Sequence, residues 1–132
     1  MDISHQNLVN ILKTNLVGTW VWDFKKDSFL VDDMMQKIYG LSAAEANDGY
    51  RAWREVVHPE DILKCEAILD AAIRNPKNKY YVRYRISRYG IWRWIIASGY
   101  AERNELGEMT RILGINILEP VISTSGEVLQ DE

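Results

Sequence analysis

Carboxylates stand close together at two places in this sequence, and such pairs could carry out acid–base chemistry. Glu60 and Asp61 follow a His-Pro pair, and Glu102 and Glu105 flank a turn. Acid–base catalysis needs these groups beside a nucleophile or an orienting base, and neither pair has that setting. We also find no phosphate-binding glycine loop and no nucleophile elbow. The sequence therefore predicts a segment that is not itself an enzyme.

Histidine and cysteine are too few and too dispersed to predict a metal site. His5 lies in a polar terminus, His58 precedes a proline, and Cys65 is the single cysteine. We interpret His58 as a capping or hydrogen-bonding residue that fixes the start of a helix. Cys65 stands beside Lys64 on that helix, where a filling role is favoured over a reactive thiol. A lone cysteine excludes an internal disulfide and is typical of the reducing cytoplasm.

The composition is that of an ordinary folded domain and argues against several classes of partner. The 132 residues are 47% hydrophobic and 27% charged, which suits one domain with its own core. The net charge of −3 and the scattered basic residues argue against a nucleic-acid partner. No apolar run has the length of a membrane span, so we expect no membrane contact by this segment. Five Trp and seven Tyr are many for this length and suggest a ligand or a protein interface.

A hairpin between Lys79 and Arg103 must position most of the other elements. Its two arms are rich in β-branched and aromatic residues and meet at a turn that contains Gly90. The first arm alternates between an apolar and a cationic face, whereas the second arm is apolar on both faces. A strand that is apolar on both faces is normally covered on both faces. We therefore predict a central hairpin with other elements packed on each side.

The periodicity of the whole chain predicts an α+β fold, with a five-stranded antiparallel sheet and short helices on one face. An N-terminal amphipathic helix is expected on or near the other face. In chain order, the expected elements are a helix at 4–17 ended by Gly18, strands at 19–24 and 29–31, a helix at 34–39 capped by Asp32 or Asp33 and ended by Gly40, one with the capping-box spacing of Ser42 and Glu45, one at 50–57, a long helix from Pro59 to Asn75, the hairpin, and a strand at 109–118. The tail from Ser123 is polar and is expected to fray.

Short motifs in a consistent order and spacing run through residues 17–118. They are Gly18-x-Trp20-x-Trp22-Asp23, Asp33-x-Met35-x-x-Ile38-Tyr39-Gly40, Val57-His58-Pro59-Glu60-Asp61, Tyr84-Arg85-Ile86, Gly90-x-x-Arg93-Trp94-Ile95 and Arg111-x-x-Gly114. Together they resemble a PAS domain of the subgroup common in bacterial sensor histidine kinases and diguanylate cyclases. The resemblance implies a five-stranded sheet that cradles short helices, with a pocket between them. It also implies a sensory or dimerising role in signal transduction, such as a two-component system.

The implied pocket gives a set of candidate ligand contacts. They are Met35, Tyr39, Trp53, Tyr84, Ile86, Ile95, Ala97 and Asn116. Asn116 is the best candidate, because flavin-binding relatives place an amide facing the ligand two residues after the last-strand glycine. Its alternative role is a hydrogen bond to neighbouring backbone, and a buried amide needs a partner in either case.

The same resemblance disfavours haem and flavin and leaves the ligand unidentified. Flavin-binding relatives carry a second amide on the preceding strand, where this sequence has Ile95. Cys65 lacks the Asn-Cys-Arg-Phe-Leu-Gln setting of the light-sensing relatives. Haem-binding relatives carry a histidine within the long helix, and this helix contains none.

Alternation along the second arm predicts an interface on the side of the sheet away from the pocket. If Ile95 and Ala97 face the pocket, then Trp92, Trp94 and Ile96 point the opposite way. A patch of that kind is rarely left in water. We expect the N-terminal helix or a second subunit to cover it, and we favour a homodimer. The candidates on the helix are Leu8, Ile11, Leu12 and Leu16.

We interpret the chain as an amphipathic helix at residues 1–17, a PAS-like sensor domain at 18–119 and a polar tail at 120–132. The domain is expected to be a cytoplasmic fragment of a larger signalling protein whose effector domain lies elsewhere in that protein. The Asp-Ile-Thr connector common in the family is replaced here by Leu118-Glu119-Pro120, which departs from the usual link to an effector. The alternatives are a module that binds only proteins, and a small α+β enzyme with a cone-shaped pocket.

Overall fold

The computed structural model describes residue 6, residues 16–74 and residues 79–129. In chain order, its elements are β1 (Val17–Asp23), β2 (Ser28–Val31), α1 (Asp33–Tyr39), α2 (Ala43–Ala46), α3 (Tyr50–Val56), α4 (Pro59–Arg74), β3 (Lys79–Arg88), β4 (Ile91–Arg103), β5 (Met109–Leu118), β6 (Val121–Ile122) and β7 (Val128–Leu129). The first five strands form one sheet in the order β2-β1-β5-β4-β3, and every neighbouring pair is antiparallel. The predicted α+β fold is confirmed.

The helices pack on one face of the sheet, which we call the inner face; the opposite face is the outer face. Helix α1 contacts β1 and β3, and α4 contacts β3 and β4. Along β3 the side chains of Tyr80, Val82, Tyr84 and Ile86 are buried, while the residues between them face outward. This alternation follows from the period of two in a strand, and it matches the prediction for the first arm.

The hairpin of β3 and β4 was expected at the centre of the sheet, but it forms one side of the sheet, with β3 as the edge strand. The two strands pair from Lys79 opposite Tyr100 to Arg88 opposite Ile91, and β4 pairs with β5 on its other side. The turn residues Tyr89 and Gly90 both have positive φ, at 50° and 77°. Two such residues give the turn type whose twist matches the flanking strands.

The caps of the first two helices confirm the signals read from the sequence. Asp32 accepts a hydrogen bond from the Met35 amide at 2.8 Å, and Gly40 ends α1 with φ of 67°. Ser42 and Glu45 form both bonds of the predicted capping box. These side chains satisfy amides that have no partner within the helix.

The start of α4 also agrees with the prediction for His58. Its Nδ1 accepts a hydrogen bond from the Glu60 amide at 3.1 Å, and its backbone oxygen accepts one from the Asp61 amide. Asp61 is buried and its carboxylate accepts two bonds from the Arg85 guanidinium, each 2.9 Å long. This ion pair ties the first turn of the long helix to β3.

The prediction of an N-terminal helix at 4–17 was wrong at the C-terminal end of that helix. The predicted helix residues Leu8, Ile11 and Leu12 lie outside the described residues. Leu16, expected on that helix, instead lies in a turn with φ of 47° and packs against the core. Strand β1 begins at Val17, so Gly18 lies within a strand and does not end a helix.

The tail from Ser123 was expected to fray, and this too was wrong. Residues 121–122 and 128–129 pair as a small hairpin, separate from the main sheet. Its turn is closed by the bond from the Ser123 amide to the Glu127 oxygen at 2.8 Å. Gly126, with φ of 89°, supplies the left-handed residue that such a turn needs.

Two glycines of the sheet make room for the core beneath them. A side chain at Gly18 would overlap Met35 of α1, and one at Gly114 would meet the Trp20 indole at 2.6 Å. Trp20 is consequently able to pack against β5 at Gly114 with its ring buried. These glycines are therefore required by close packing.

Candidate functional site

A cavity of about 70 Å³ lies between the inner face of the sheet and the helices. Its walls are mostly aromatic and aliphatic. The lining residues are Trp20, Trp22, Phe29, Val31, Met35, Gln36, Tyr39, Leu41, Ala46, Tyr50, Ala52, Trp53, Cys65, Glu66, Leu69, Tyr80, Tyr84, Ala97, Ile112 and Asn116. An apolar enclosure with a few polar groups is the usual form of a small-molecule site.

Six of the eight predicted pocket residues line this cavity. They are Met35, Tyr39, Trp53, Tyr84, Ala97 and Asn116. Ile86 and Ile95 are fully buried on the same face, but the structure places them outside the cavity wall. Both side chains belong to the hydrophobic core cluster, so they fill the core instead of lining the cavity.

Five side chains form a continuous polar network at the floor of the cavity. The Asn116 oxygen accepts from the Trp20 indole N–H at 2.8 Å. The Asn116 amide donates to the Tyr39 hydroxyl at 2.5 Å and to the Tyr84 hydroxyl at 3.3 Å. The two hydroxyls lie 2.6 Å apart, and the Trp53 indole donates to Tyr84 at 3.3 Å. Asn116 therefore joins side chains of β1, β3 and α1, which resolves the alternative that it bonds only local backbone.

The network is electrically neutral because its tyrosines are buried. Burial raises the pKa of Tyr39 well above its ordinary value, and it also raises the pKa of Tyr84. Both phenols therefore stay protonated across the physiological range, and one of the two hydroxyls donates in the bond between them. Burial likewise raises the pKa of Cys65 to about 12, so this thiol has little thiolate at neutral pH.

We call the half-buried rim of the cavity its mouth; it comprises Trp22, Phe29, Tyr50, Trp53 and Glu66. Trp22 stacks near-parallel with Phe29 at 5.2 Å, and Tyr50 lies 5.8 Å from Trp53. The Tyr50 hydroxyl donates to the Glu66 carboxylate at 2.5 Å. Burial and this bond raise the pKa of Tyr50.

Sequence reasoning missed most of the mouth and part of the floor. Trp20 and Trp22 were predicted as residues of a strand and of a family motif, and not as pocket residues. Glu66 lies four positions after Ile62 and three before Leu69, so helix spacing alone places it on the inward stripe of α4. Tyr50 carried no signal, because its position depends on how α3 packs beside α4.

The described part of the chain offers no arrangement for catalysis or for a metal ion. No group of three His, Cys, Asp or Glu residues among the described residues could hold a metal. Glu66, the carboxylate in the wall, is engaged by a phenol and not by a nucleophile or a base. The small-enzyme alternative is therefore not favoured. Among the described residues, no helix has the length and apolar character to cross a membrane.

The outer face carries the predicted interface residues, and their surroundings differ from one another. The Trp94 ring is covered by the Arg83 guanidinium at 3.8 Å and approached by Arg85 at 5.1 Å. Trp92 remains 48% exposed and lies 4.4 Å from the His58 ring, measured between centroids. Ile96 is half-buried.

The residue that follows β5 is fixed to this outer face. Both oxygens of Glu119 accept bonds from Arg83 at 2.8–3.0 Å. Arg93 donates to the Glu119 backbone oxygen at 2.8 Å, and the Glu119 amide donates to the Trp94 oxygen at 3.0 Å. The segment that replaces the Asp-Ile-Thr connector is thus held by three bonded neighbours.

An antiparallel five-stranded sheet with short helices over an internal cavity is the architecture of a sensory domain. A family model described as PAS fold matches residues 29–116. Because this match covers more than half of the chain, the chain belongs to the PAS family. It is a PAS sensor domain similar to those of histidine kinases and diguanylate cyclases.

Individual relatives agree with this assignment. The probable diguanylate cyclase DgcE of Escherichia coli (strain K12) is 27% identical over 116 residues, which are 88% of this chain and 10% of that protein. The structure of a sensory box histidine kinase/response regulator from Burkholderia thailandensis E264 has a TM-score of 0.68 and 28% identity, covering 84% of this chain and 82% of that one. A light-oxygen-voltage domain studied with a flavin analogue has a TM-score of 0.63 and 17% identity, covering 89% and 86%. This last likeness is one of fold alone.

Proposed function

We propose that this PAS domain senses a small molecule in its cavity and signals to an effector domain of the same protein. A histidine kinase or a diguanylate cyclase is the effector class that the relatives suggest. In this proposal the 132 residues are part of a longer cytoplasmic chain. They comprise an N-terminal segment at 1–17, the sensor domain at 18–119 and a tail at 120–132, and the catalytic activity belongs to the effector.

The observation that carries the proposal is the connection of the cavity floor to β5. Asn116 contacts Tyr39 of α1 and Tyr84 of β3, and it lies three residues before Glu119, which Arg83 holds on the outer face. A ligand that bonds to this network competes with bonds between helix and sheet. It can shift the domain between two arrangements only by its difference in affinity for them.

A search for bound small molecules by native mass spectrometry on purified protein tests this proposal. We expect a small-molecule adduct that is lost in Ala97→Leu, because the added carbons fill the cavity lined by Ala97. The same change at the exposed Ala44 is the control. A featureless mass, or an adduct that persists in Ala97→Leu, contradicts binding in the cavity.

We further propose that the ligand is neither haem nor flavin. The cavity of about 70 Å³ is small for a tricyclic or macrocyclic group, and the position of a second flavin-binding amide is occupied by Ile95. We expect a colourless preparation. A visible absorbance band from the purified protein contradicts this expectation.

Homodimerisation through the outer face is the second part of the proposal. Trp92, Trp94 and Ile96 lie on this face, and Trp92 is 48% exposed. The predicted helix residues Leu8, Ile11 and Leu12 lie outside the described residues, and Leu16 packs against the core. We expect Trp94→Glu to lower the mass measured by light scattering. Leu63→Glu is the matched control, because Leu63 is 78% exposed on α4. An unchanged mass for Trp94→Glu removes this residue from the interface.

One observation favours a module that binds only proteins as the second candidate. The described buried side-chain nitrogen and oxygen atoms already have hydrogen-bond partners within the protein, so the network at the floor forms without a ligand. In that case the cavity is a packing defect, and the outer face alone carries function. The absence of any small-molecule adduct in the mass spectrum, with the dimer still present by light scattering, would favour this candidate.

A further inference from the structure

We infer that the mouth of the cavity recognises a small quaternary ammonium group. This inference rests on the proposed function, since it names the class of ligand for the same cavity. It begins with charge: among the described lining residues, Glu66 contributes the one carboxylate, and the wall contains no Lys, Arg or His. An anionic ligand would meet repulsion there, whereas a cation would be attracted.

A second carboxylate stands beside the same rings. The Asp27 oxygen accepts from the Trp22 indole N–H at 3.1 Å and from the Tyr50 amide at 3.3 Å. Arg54 is the opposing charge: its guanidinium donates to the Tyr50 hydroxyl at 3.0 Å from an exposed position. The charges at the mouth therefore sum to one negative, with both carboxylates adjacent to aromatic rings.

The aromatic residues supply the second element of cation recognition. Trp22 and Tyr50 are near-parallel, with ring centroids 6.4 Å apart, and Trp53 adjoins Tyr50 at 5.8 Å. Ring faces attract cations within about 6 Å of their centroids, most strongly for Trp. Three half-buried rings and a carboxylate on one rim match the composition of aromatic cages for alkylated ammonium groups.

Hydrogen bonding selects the quaternary class over other cations. The described buried side-chain polar atoms all have partners, and the Glu66 carboxylate already accepts from Tyr50. A primary ammonium needs acceptors for three N–H groups, whereas a quaternary ammonium needs none. The group would lie at the half-open mouth, since the enclosed cavity of about 70 Å³ is smaller than the roughly 150 Å³ that holds benzene.

Titration calorimetry on the 132-residue chain can test this inference with two matched probes. Choline carries the quaternary ammonium, and 3,3-dimethylbutan-1-ol is its uncharged isostere of the same shape. We expect choline to bind about tenfold more tightly than the alcohol, the size of effect expected for a cation among aromatic rings.

Charge variants locate the effect. Glu66→Gln keeps an acceptor for the Tyr50 hydroxyl, and we expect it to lose most of the preference for choline over the alcohol. Arg54→Gln should strengthen choline binding, since it removes the competing cation. Glu105→Gln, at the exposed turn after β4, is the control and should change neither. Thermal melts verify that each variant is folded.

The outcomes separate this inference from the proposed function. Equal binding of the two probes overturns the ammonium inference but supports a cavity that accepts small molecules. Binding of neither probe at millimolar concentration also overturns it, and the mass-spectrometric search then decides separately whether the cavity has another ligand. A choline preference that survives Glu66→Gln contradicts the assignment to this mouth.

Discussion

The inner and outer faces of one sheet accommodate aromatic side chains by opposite means. On the inner face Tyr84 is 2% exposed, and its hydroxyl is bonded only to neutral groups. On the outer face the Trp94 ring is covered by the cationic ends of Arg83 and Arg85. Burying an unpaired charge is costly, so the closed side uses neutral partners. The outer side is open to solvent, so long charged side chains can lie over a ring there.

The largest expected difference between the faces concerns two tyrosines of β3. Tyr84→Ala removes a buried ring and should lower the free energy of unfolding by about 3–5 kcal/mol. Tyr81→Ala, on the outer face where Tyr81 is 65% exposed, should cost less than about 1 kcal/mol. Urea denaturation of both variants measures the difference. Similar losses would contradict the distinction between a closed and an open face.

The next effect sharpens the role of the neutral network. Asn116→Ala leaves the Trp20 indole N–H without its acceptor, and we expect a loss of about 2–3 kcal/mol. In a Trp20→Phe background the donor is absent, so the same substitution should cost at least about 1 kcal/mol less. Denaturation of the four proteins in this cycle gives the coupling. Strict additivity would show that the bond contributes nothing.

An intermediate effect is expected where the faces meet, at the edge strand β3. Hydrogen bonds from Arg85 lower the pKa of Asp61 to about 2, from an ordinary value of 3.8. The stabilisation of the fold by the ionised Asp61 carboxylate is therefore complete above pH 4 and is lost as the pH falls through 2. Asp61→Asn should cost about 1–2 kcal/mol at pH 7, a discounted value because Arg85 is partly in water.

The pH profile tests the sign of this effect. The difference in the free energy of unfolding between the native protein and Asp61→Asn should shrink by about half at pH 3. Glu60→Gln is the control, because Glu60 is 76% exposed although it also contacts Arg85. A gap that stays constant from pH 7 to pH 3 would show that charge pairing is not its cause.

The smallest effect is expected on the outer face. Arg83→Lys keeps the charge but loses the planar group that covers Trp94 and the paired bonds to Glu119. We expect a fall in Tm of about 1–3 °C by calorimetry. In a Trp94→Leu background the fall should be smaller. An undiminished fall would assign the whole effect to Glu119.

Local signals in the sequence predicted most of the fold. The alternation of β3, the turn at Gly90, the cap at Asp32 and the capping box at Ser42 each depend on a few adjacent residues. Such signals are set by backbone geometry and local hydrogen bonds, so they are readable without a structure. The errors lay at the chain ends, where Leu16 adopts a turn and residues 121–129 form a hairpin.

The candidate site was predictable only in part, because it is assembled from distant segments. Asn116, Tyr39 and Tyr84 were expected at the pocket from a family pattern, but their mutual bonds join residues that are 32–77 positions apart. Trp22, Tyr50 and Glu66 come from β1, α3 and α4, and they meet at the mouth through the tertiary fold, a relation that has no local sequence signal.

By itself, the sequence determined which segments are helices and strands and which strand faces are apolar, since these properties follow from periods of two and 3.6 residues. Only the tertiary structure decided which apolar residues enclose a cavity and which fill the core. Ile86 and Ala97 are both buried on the inner face, yet the first lies outside the cavity wall and the second lines the cavity. That difference depends on side-chain volumes brought together across the fold, which no stretch of the chain encodes alone.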